Sequence, residues 1–381
     1  MSARLAAAVR ANVPPFHVMD MIEAVAARQR DRGDVLSLLA GQPSTGAPAA
    51  VADEAVRLLR SGDPLGYTPA VGIPALRSAI AEHYLASYGV PVSADDVVVT
   101  TGASGGFLLA FLAAFDAGDV VAMSRPNYPC YRNVLAALGC RVVEVDELSL
   151  DTLAAIPDLK GVMVASPANP TGTMLGADDL AALAGWCEAH GVRLVSDEIY
   201  HGISYGAERS HTAWETSREA IVFGSFSKYH SMTGWRIGWL LAPARLRRTV
   251  EVLTGNFTIC PPALAQHAAV KAFTPEAAVE LDGHVRRYAV NRALLLDGLP
   301  RLGISRLAPA DGAFYVYADI GHLTDDSLRW SHDLLGRTGV AVAPGVDFDT
   351  VAGGRFVRLS FAGATAEVEA ALDRLSTGLT G

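Results

Sequence analysis

Between residues 97 and 242 the chain alternates short runs rich in β-branched residues with stretches of helical periodicity, and no other feature restricts its fold as tightly. The strand-like runs cover 97–100, 120–123, 141–145, 161–165, 193–196, 221–224 and 238–242. The spacing predicts helices over 105–115, 131–138 and 177–190, with Gly118, Gly139 and Gly191 standing where C-caps belong. Strands alternating with helices make right-handed βαβ units. The fold class is therefore α/β, with a mostly parallel seven-stranded sheet covered by helices on both faces. The two ends read differently. Residues 17–32 form an amphipathic helical pattern that stops at Gly33. After Pro275 comes a long helical stretch, then strand-like runs at 313–318 and 356–361, then a helix from Ala366 onward. This α+β pattern predicts a large domain over 46–275 and a smaller, discontinuous one built from 1–45 and 276–381.

Composition narrows the function. Half of the 381 residues are apolar and 19% are charged, enough for a sizeable core. The net charge of −9, with no basic run, argues against nucleic acid and anionic membrane as partners. Met1-Ser2-Ala3-Arg4 shows no apolar leader, and apolar runs such as 107–115 are far too short to span a membrane. The four cysteines, Cys130, Cys140, Cys187 and Cys260, are scattered, which fits neither a disulfide scaffold nor structural zinc. The expectation is a cytoplasmic protein without a metal. Only three lysines occur, Lys160, Lys228 and Lys271, so chemistry that needs an amine has three candidates.

In a parallel sheet, ligands gather where loops leave the carboxyl ends of strands. The residues there are Thr101-Gly102-Ala103-Ser104-Gly105-Gly106, Pro126-Asn127-Tyr128-Pro129, Ser166 to Gly172 with Asn169-Pro170, Asp197-Glu198-Ile199-Tyr200, and Ser225-Phe226-Ser227-Lys228 followed by Gly234-Trp235-Arg236-Ile237-Gly238. Taken singly, most have an ordinary explanation as tight turns or helix caps. Lys228, set between a hydroxyl pair and a glycine-flanked arginine, is the hardest to read as a solvated charge. Together they supply an anion-binding helix start, a stacking aromatic, a carboxylate, two hydroxyls, an arginine and a lysine. That set suits pyridoxal 5'-phosphate, which carries a phosphate, a flat ring, a basic nitrogen and an aldehyde.

Over essentially its whole length the chain resembles the fold-type I aminotransferases of class I/II, the aspartate aminotransferase superfamily. Further matching segments are Ala40-Gly41-Gln42-Pro43, Gly66-Tyr67-Thr68-Pro69-Ala70-Val71-Gly72, Asn256 to Pro262, Asp311-Gly312-Ala313-Phe314-Tyr315 and Phe356-Val357-Arg358-Leu359-Ser360, in the family's order and near its spacings. The resemblance implies that Lys228 forms a Schiff base with the cofactor aldehyde and then moves the Cα proton. It implies that Asp197 keeps the ring nitrogen protonated, that Tyr200 and Asn169 bond the ring's phenolic oxygen, and that Tyr128 stacks on the ring. Asn169-Pro170 is where the family tends to have a cis peptide. The turn at Gly102, the amides of Ala103 and Ser104, the hydroxyls of Ser225 and Ser227, and Arg236 would hold the phosphate. Arg358, with the Gly41 amide, would clamp the substrate α-carboxylate. Tyr67 would reach the phosphate of a neighbouring subunit, making a homodimer the minimum assembly.

The implied reaction is ping-pong transfer of an amino group from an L-amino acid to a 2-oxo acid. A C–S lyase or an aminocyclopropane-carboxylate-synthase-like enzyme would keep the same residues and stays open at this point. A regulator with an aminotransferase-like domain would need a DNA-binding domain ahead of the pattern, which is under way by residue 41. A catalytically dead paralogue is disfavoured because Lys228, Asp197 and Arg358 are all present. No arginine lies in 255–260, where one subgroup of aspartate enzymes grips the distal carboxylate, and Pro14-Pro15-Phe16 is apolar. Both features favour a neutral or aromatic amino donor, with Phe16 near its side chain.

Overall fold

The computed structural model describes residues 7–206 and 208–379. The Met1-Ser2-Ala3-Arg4 stretch lies outside the described residues. Seven strands form the central sheet: β1 (Val97–Thr100), β2 (Val120–Ser124), β3 (Arg141–Val145), β4 (Leu159–Ala165), β5 (Arg193–Asp197), β6 (Ile221–Ser225) and β7 (Gly238–Leu241). Their spatial order is β1-β7-β6-β5-β4-β2-β3. Strands β2 to β6 pair in parallel with their neighbours among themselves, whereas β7 runs antiparallel to both β1 and β6.

The sheet is buried on both faces, and alternate strand residues show why. Val97, Val99, Val162, Val164, Leu194, Val222 and Leu241 pack with helices Pro74–Tyr88, Ala177–His190 and Ala263–Ala269. Val98, Val121, Met163, Val195, Ile221, Phe223 and Leu240 pack on the other face with Gly102–Ala114, Pro129–Ala137 and Ala244–Phe257. Each of these side chains is worth about 1.5–3 kcal/mol when fully buried, so a polar residue in β1, β5 or β6 costs more than any loop change.

Beyond the sheet, three antiparallel strands run in the order Ala343–Pro344, Phe356–Ser360, Tyr315–Asp319. They pack with the long helix Pro275–Arg301 and the terminal helix Thr365–Leu379 around Tyr288, Phe314, Leu359 and Val368. The two-residue strand Leu36–Ser37 pairs in parallel with Val340–Ala341. Helix His17–Arg32 ends at Gly33 with φ +66°, as the sequence indicates.

Three local expectations shift. Helix Gly102–Ala114 starts three residues ahead of the periodic stretch, because its first turn is too glycine-rich to show a pattern. Helix Pro129–Ala137 starts at its proline instead of at Tyr131, with Tyr128 at the N-cap. Of the three glycines only Gly191 is a C-cap. Gly139 follows the cap residue Leu138, and Gly118 lies in the turn beyond Phe115, where the preceding helix has ended in extended backbone. Among the described residues no helix is long and apolar enough to cross a membrane.

Candidate active site

One edge of the sheet delivers most of the polar groups. In register across it stand Thr100 of β1, Gly238 of β7 and Ser225 of β6. Because β7 runs against its neighbours, Arg236 arrives at this edge from the residues before a strand, while every other group arrives after one. Gly238 is forced by close approach: a Cβ there would lie 2.9 Å from the Gly224 carbonyl oxygen and 3.0 Å from the Ala103 nitrogen. Gly102 has φ +70°, and a Cβ on it would meet the Arg236 guanidinium at 2.6 Å. The backbone is thus cleared for an arginine beside the first turn of helix Gly102–Ala114. The amides of that turn have no partner within the helix. Ala103, Ser104, Ser227 and Arg236 line the pocket there, which encloses about 250 Å³.

Lys228 follows β6 and lies half-buried in the wall. Its Nζ donates to the Gly41 carbonyl at 2.6 Å and sits 5.8 Å from the Tyr200 ring. Burial, then the charges of Arg358 and Arg236, bring its pKa down to about 8, so the free amine is populated near neutrality. Asp197 closes β5 and is 2% exposed. Its Oδ1 accepts from the Ile199 amide at 3.1 Å, and its Oδ2 accepts a short bond from the Tyr131 hydroxyl. Burial lifts its pKa to about 6 despite these donors and despite Lys228. Among the described residues it forms no ion pair.

Arg358, on the strand Phe356–Ser360, is the complementary case. It is 2% exposed, and among the described residues no carboxylate pairs with it. Its guanidinium donates to Asn169 Oδ1 at 2.9 Å and to the Leu39 carbonyl at 3.0 Å, and its Nε has no partner. The plane is held between Tyr315, 4.2 Å from the ring centroid, and Phe348, at 4.6 Å. The Tyr315 and Tyr200 hydroxyls bond at 2.7 Å. Asn169-Pro170 is cis, as are Arg125-Pro126 and Ser166-Pro167.

The remaining wall is apolar: Phe16 and, from helix His17–Arg32, Val18, Met19 and Ile22. Tyr128 faces this side, edge-on to Phe16 at 6.2 Å. Of the residues singled out in the sequence, Lys228, Asp197, Tyr200, Ala103, Ser104, Tyr128, Asn169, Ser227, Arg236, Gly41, Arg358 and Phe16 all line this one pocket. Gly102 lies just behind its wall. Ser225 borders a separate cavity, its Oγ accepting from the Ser227 amide at 3.0 Å. Tyr67 lies outside the pocket and is 84% exposed. Residues 255–260 do not line it either.

Sequence reasoning missed Tyr131, Phe107, Met19 and Ile22, and gave Tyr315 no role. The signal for Met19 and Ile22 was available: two large apolar residues, three apart, on the exposed side of an amphipathic helix. Tyr131 and Tyr315 carried no local mark.

Comparison with known proteins agrees along the whole chain. The family model for aminotransferase class I and II matches residues 33–375. A valine–pyruvate aminotransferase of Mycobacterium tuberculosis is 59% identical over 98% of both chains. An aspartate/prephenate aminotransferase of Thermus thermophilus is 34% identical, covering 93% of this chain and 94% of its own. Among solved structures, an aminotransferase from M. tuberculosis superposes with a TM-score of 0.97 at 58% identity, covering 99% of this chain and 100% of the other. The T. thermophilus aspartate aminotransferase with maleate gives 0.91 at 31% identity, covering 98% and 100%.

Proposed function

The chain belongs to the aminotransferase class I and II family and is a transaminase, and from that premise we propose that it holds pyridoxal 5'-phosphate in this pocket and takes its amino group from a neutral, apolar amino acid. One observation carries the reading: a buried carboxylate and a buried guanidinium, neither in an ion pair among the described residues, flank a lysine whose amine is easily freed. The family's cofactor and an amino acid together suit these groups. A cationic ring nitrogen suits Asp197. A phosphate suits the first-turn amides at Ala103 and Ser104, the Ser227 hydroxyl and Arg236. A flat ring suits the face of Tyr128. Ser225 and Gly102 act from behind, Ser225 by fixing the Ser227 amide.

When bound, the cofactor supplies an aldehyde that condenses with amines and a ring that draws electrons from the substrate Cα. This chain's residues do the rest. The Lys228 amine is the nucleophile that retains the cofactor and, once displaced by substrate, the base that takes the Cα proton and returns it. Asp197, oriented by Tyr131 and the Ile199 amide, holds a proton on the ring nitrogen. Tyr200 donates to the ring's phenolic oxygen. Asn169, its Oδ1 already taken by Arg358, has its amide hydrogens left for the same oxygen. Arg358 receives the α-carboxylate in a fork whose plane Tyr315 and Phe348 fix, with the Gly41 amide beside it.

The donor's side chain meets Phe16, Val18, Met19 and Ile22. Among the described residues the cations lining the pocket are Lys228, Arg236 and Arg358, which serve the aldehyde, the phosphate and the α-carboxylate, so none is left to grip a second carboxylate. The M. tuberculosis relative's name, valine with pyruvate, supports an aliphatic donor and a small 2-oxo acid acceptor. The same reading seats the pocket between a large unit, 46–275, and a smaller one, 1–45 with 276–381. It makes the exposed Tyr67 a contact to the second copy in a homodimer. The four free cysteines fit a reducing cytoplasm.

The test is a donor panel read by the visible absorbance of the bound cofactor. Valine, alanine and phenylalanine should each convert it, pyruvate should restore it, and aspartate should be about a hundredfold poorer, the scale of one unpaired buried charge. Aspartate as the best donor would sink the substrate reading. Pyruvate and ammonia released from a cysteine conjugate without an oxo acid would point to a lyase. For the dimer, mixing Lys228→Ala with Tyr67→Phe subunits should regenerate one intact site per heterodimer. No regained activity after demonstrated subunit exchange would place Tyr67 in its own subunit's service.

A further inference from the structure

Helix His17–Arg32 begins without a capping side chain of its own, since Phe16 stands at its N-cap. Two of the amides that a helix start leaves unpaired are taken by a residue from the far end of the chain. Asp347 Oδ1 accepts from the His17 amide at 2.9 Å, and Oδ2 accepts from the Val18 amide at 2.8 Å. This carboxylate is buried and ends the short turn Gly345–Asp347. The main chain around it is tied to the opposite wall. Arg132 donates to the Asp347 carbonyl at 2.5 Å, and the Asn127 amide donates to the Phe348 carbonyl at 2.8 Å. Phe348 is the ring that covers one face of Arg358. One turn therefore joins the helix bearing Val18, Met19 and Ile22, the loop bearing Tyr128, and the arginine clamp.

We propose that Asp347 is a positioning residue for amino-donor selectivity: by capping this helix it sets how far the apolar wall stands from Arg358. The inference rests on the reading that this wall receives the donor's side chain. Asp347 does not line the pocket, so it acts through the helix. Both of its oxygens are used, and its charge lies at the positive end of the helix dipole. An asparagine offers one acceptor where two are needed, and an alanine offers none. A valine or leucine donor depends on the wall, whereas alanine, with a single methyl, hardly reaches it.

The experiment compares holoenzyme carrying Asp347→Ala, Asp347→Asn or Ile22→Ala with the unaltered protein. In Asp347→Ala the KM for valine and leucine should rise about fivefold, the usual scale of a lost helix cap, with kcat within about twofold. The KM for alanine should move less than about twofold, and the visible spectrum should stay the same. Hydrogen exchange of the first helical turn should quicken by a similar factor while the sheet's does not. Asp347→Asn should fall between, and it carries the same comparison if the alanine variant does not fold. A valine-to-alanine KM ratio that shifts in Ile22→Ala but in neither Asp347 variant overturns the role of Asp347 and leaves the wall reading intact. No shift in any of the three removes the wall reading and this proposal with it. An equal rise for valine and alanine marks Asp347 as merely structural.

Discussion

Asp197 and Glu198 are consecutive, equally buried carboxylates at the end of β5, yet they face different surroundings. Ile199 lines both spaces. On one side Asp197 looks into the pocket of Lys228, Arg236 and Arg358. On the other, Glu198 borders a cavity of about 220 Å³ walled by His83, Tyr84, Tyr88, His201, His230 and Trp239. Glu198 Oε1 accepts from the Ala213 amide at 2.8 Å and from Ser196 at 3.0 Å, while Oε2 has no hydrogen-bond partner among the described residues and stands 3.7 Å from His201 Nδ1. His201 gives it no charge: burial holds the imidazole neutral, with its ring nitrogens already facing Tyr88 and the Ser166 carbonyl. Burial raises Glu198 to about 8 and Asp197 to about 6. Glu198 is thus the more strongly perturbed of the two. What distinguishes Asp197 is convergence, with unpaired cations and a free-amine lysine around one space.

The largest expected effect belongs to Lys228→Ala, which should lose at least about 10⁴-fold in turnover, as removal of an enzyme's nucleophile generally does. Borohydride should then no longer attach the cofactor to the peptide containing residue 228, and attachment at Lys160 or Lys271 in the unaltered protein would refute the assignment. Next, Asp197→Ala should keep cofactor but lose about 10²–10³-fold, the scale of a lost electrostatic partner, while Glu198→Gln stays within about threefold. Comparable losses in both variants would mean that the two carboxylates serve the reaction alike. Arg358→Ala should raise the KM for every amino acid by about tenfold to a hundredfold, matching a lost charge-assisted fork, and leave simple amines unaffected.

A smaller effect is expected for Tyr131→Phe. Its hydroxyl stabilises the Asp197 carboxylate, so removal should raise the Asp197 pKa and cost about fivefold in turnover, near the net value of one hydrogen bond. An unchanged pH profile would show that the Ile199 amide alone suffices. The smallest effect is on the stability of the cofactor-free protein. Both carboxylates have raised pKa values, so the native chain keeps protons that the unfolded chain has lost, from about 3.8 to about 6 for Asp197 and from about 4.5 to about 8 for Glu198. Stability contributed by these protons is present in acid and disappears as pH rises through those windows. Thermal midpoints should therefore fall between pH 6.5 and pH 8, above the range in which the buried neutral His83, His201 and His230 act in the opposite sense, and Glu198→Gln should remove most of that fall, about 1–3 kcal/mol of stability. A midpoint that rises over that range in the unaltered apoprotein would contradict the raised value of Glu198.

The strands and most of the pocket-lining residues were legible because they obey local rules. β-branched runs mark β1 to β6 to within a residue or two, and strand ends mark where Asp197 and Lys228 emerge. The rest depends on contacts between segments far apart in sequence. Nothing near Tyr131 indicates that its hydroxyl meets a carboxylate 66 residues later. The stacking of Arg358 between Tyr315 and Phe348, and the apolar wall from helix His17–Arg32, require the three-stranded sheet to be folded onto the large one. The early start of helix Gly102–Ala114 was hidden by its glycines, which carry no periodicity. The reversed direction of β7 was hidden because alternation of apolar residues is the same read either way.

That reversal has a consequence for how the site is assembled. Parallel neighbours must be joined by a crossover, usually through a helix, but β6 and β7 are antiparallel and need only the connection 226–237. Ser227, Lys228 and Arg236 all lie on that one tether and reach the rim together. Closing so short a loop costs little chain entropy, whereas Arg358 reaches the pocket from more than a hundred residues beyond the tether. Ser227, Lys228 and Arg236 are thus brought together locally, whereas Ala103 and Ser104 on one side and Arg358 on the other join them only through long-range contacts. In the order of folding, the tether can set the lysine beside its hydroxyl and guanidinium before either distant segment has docked against it.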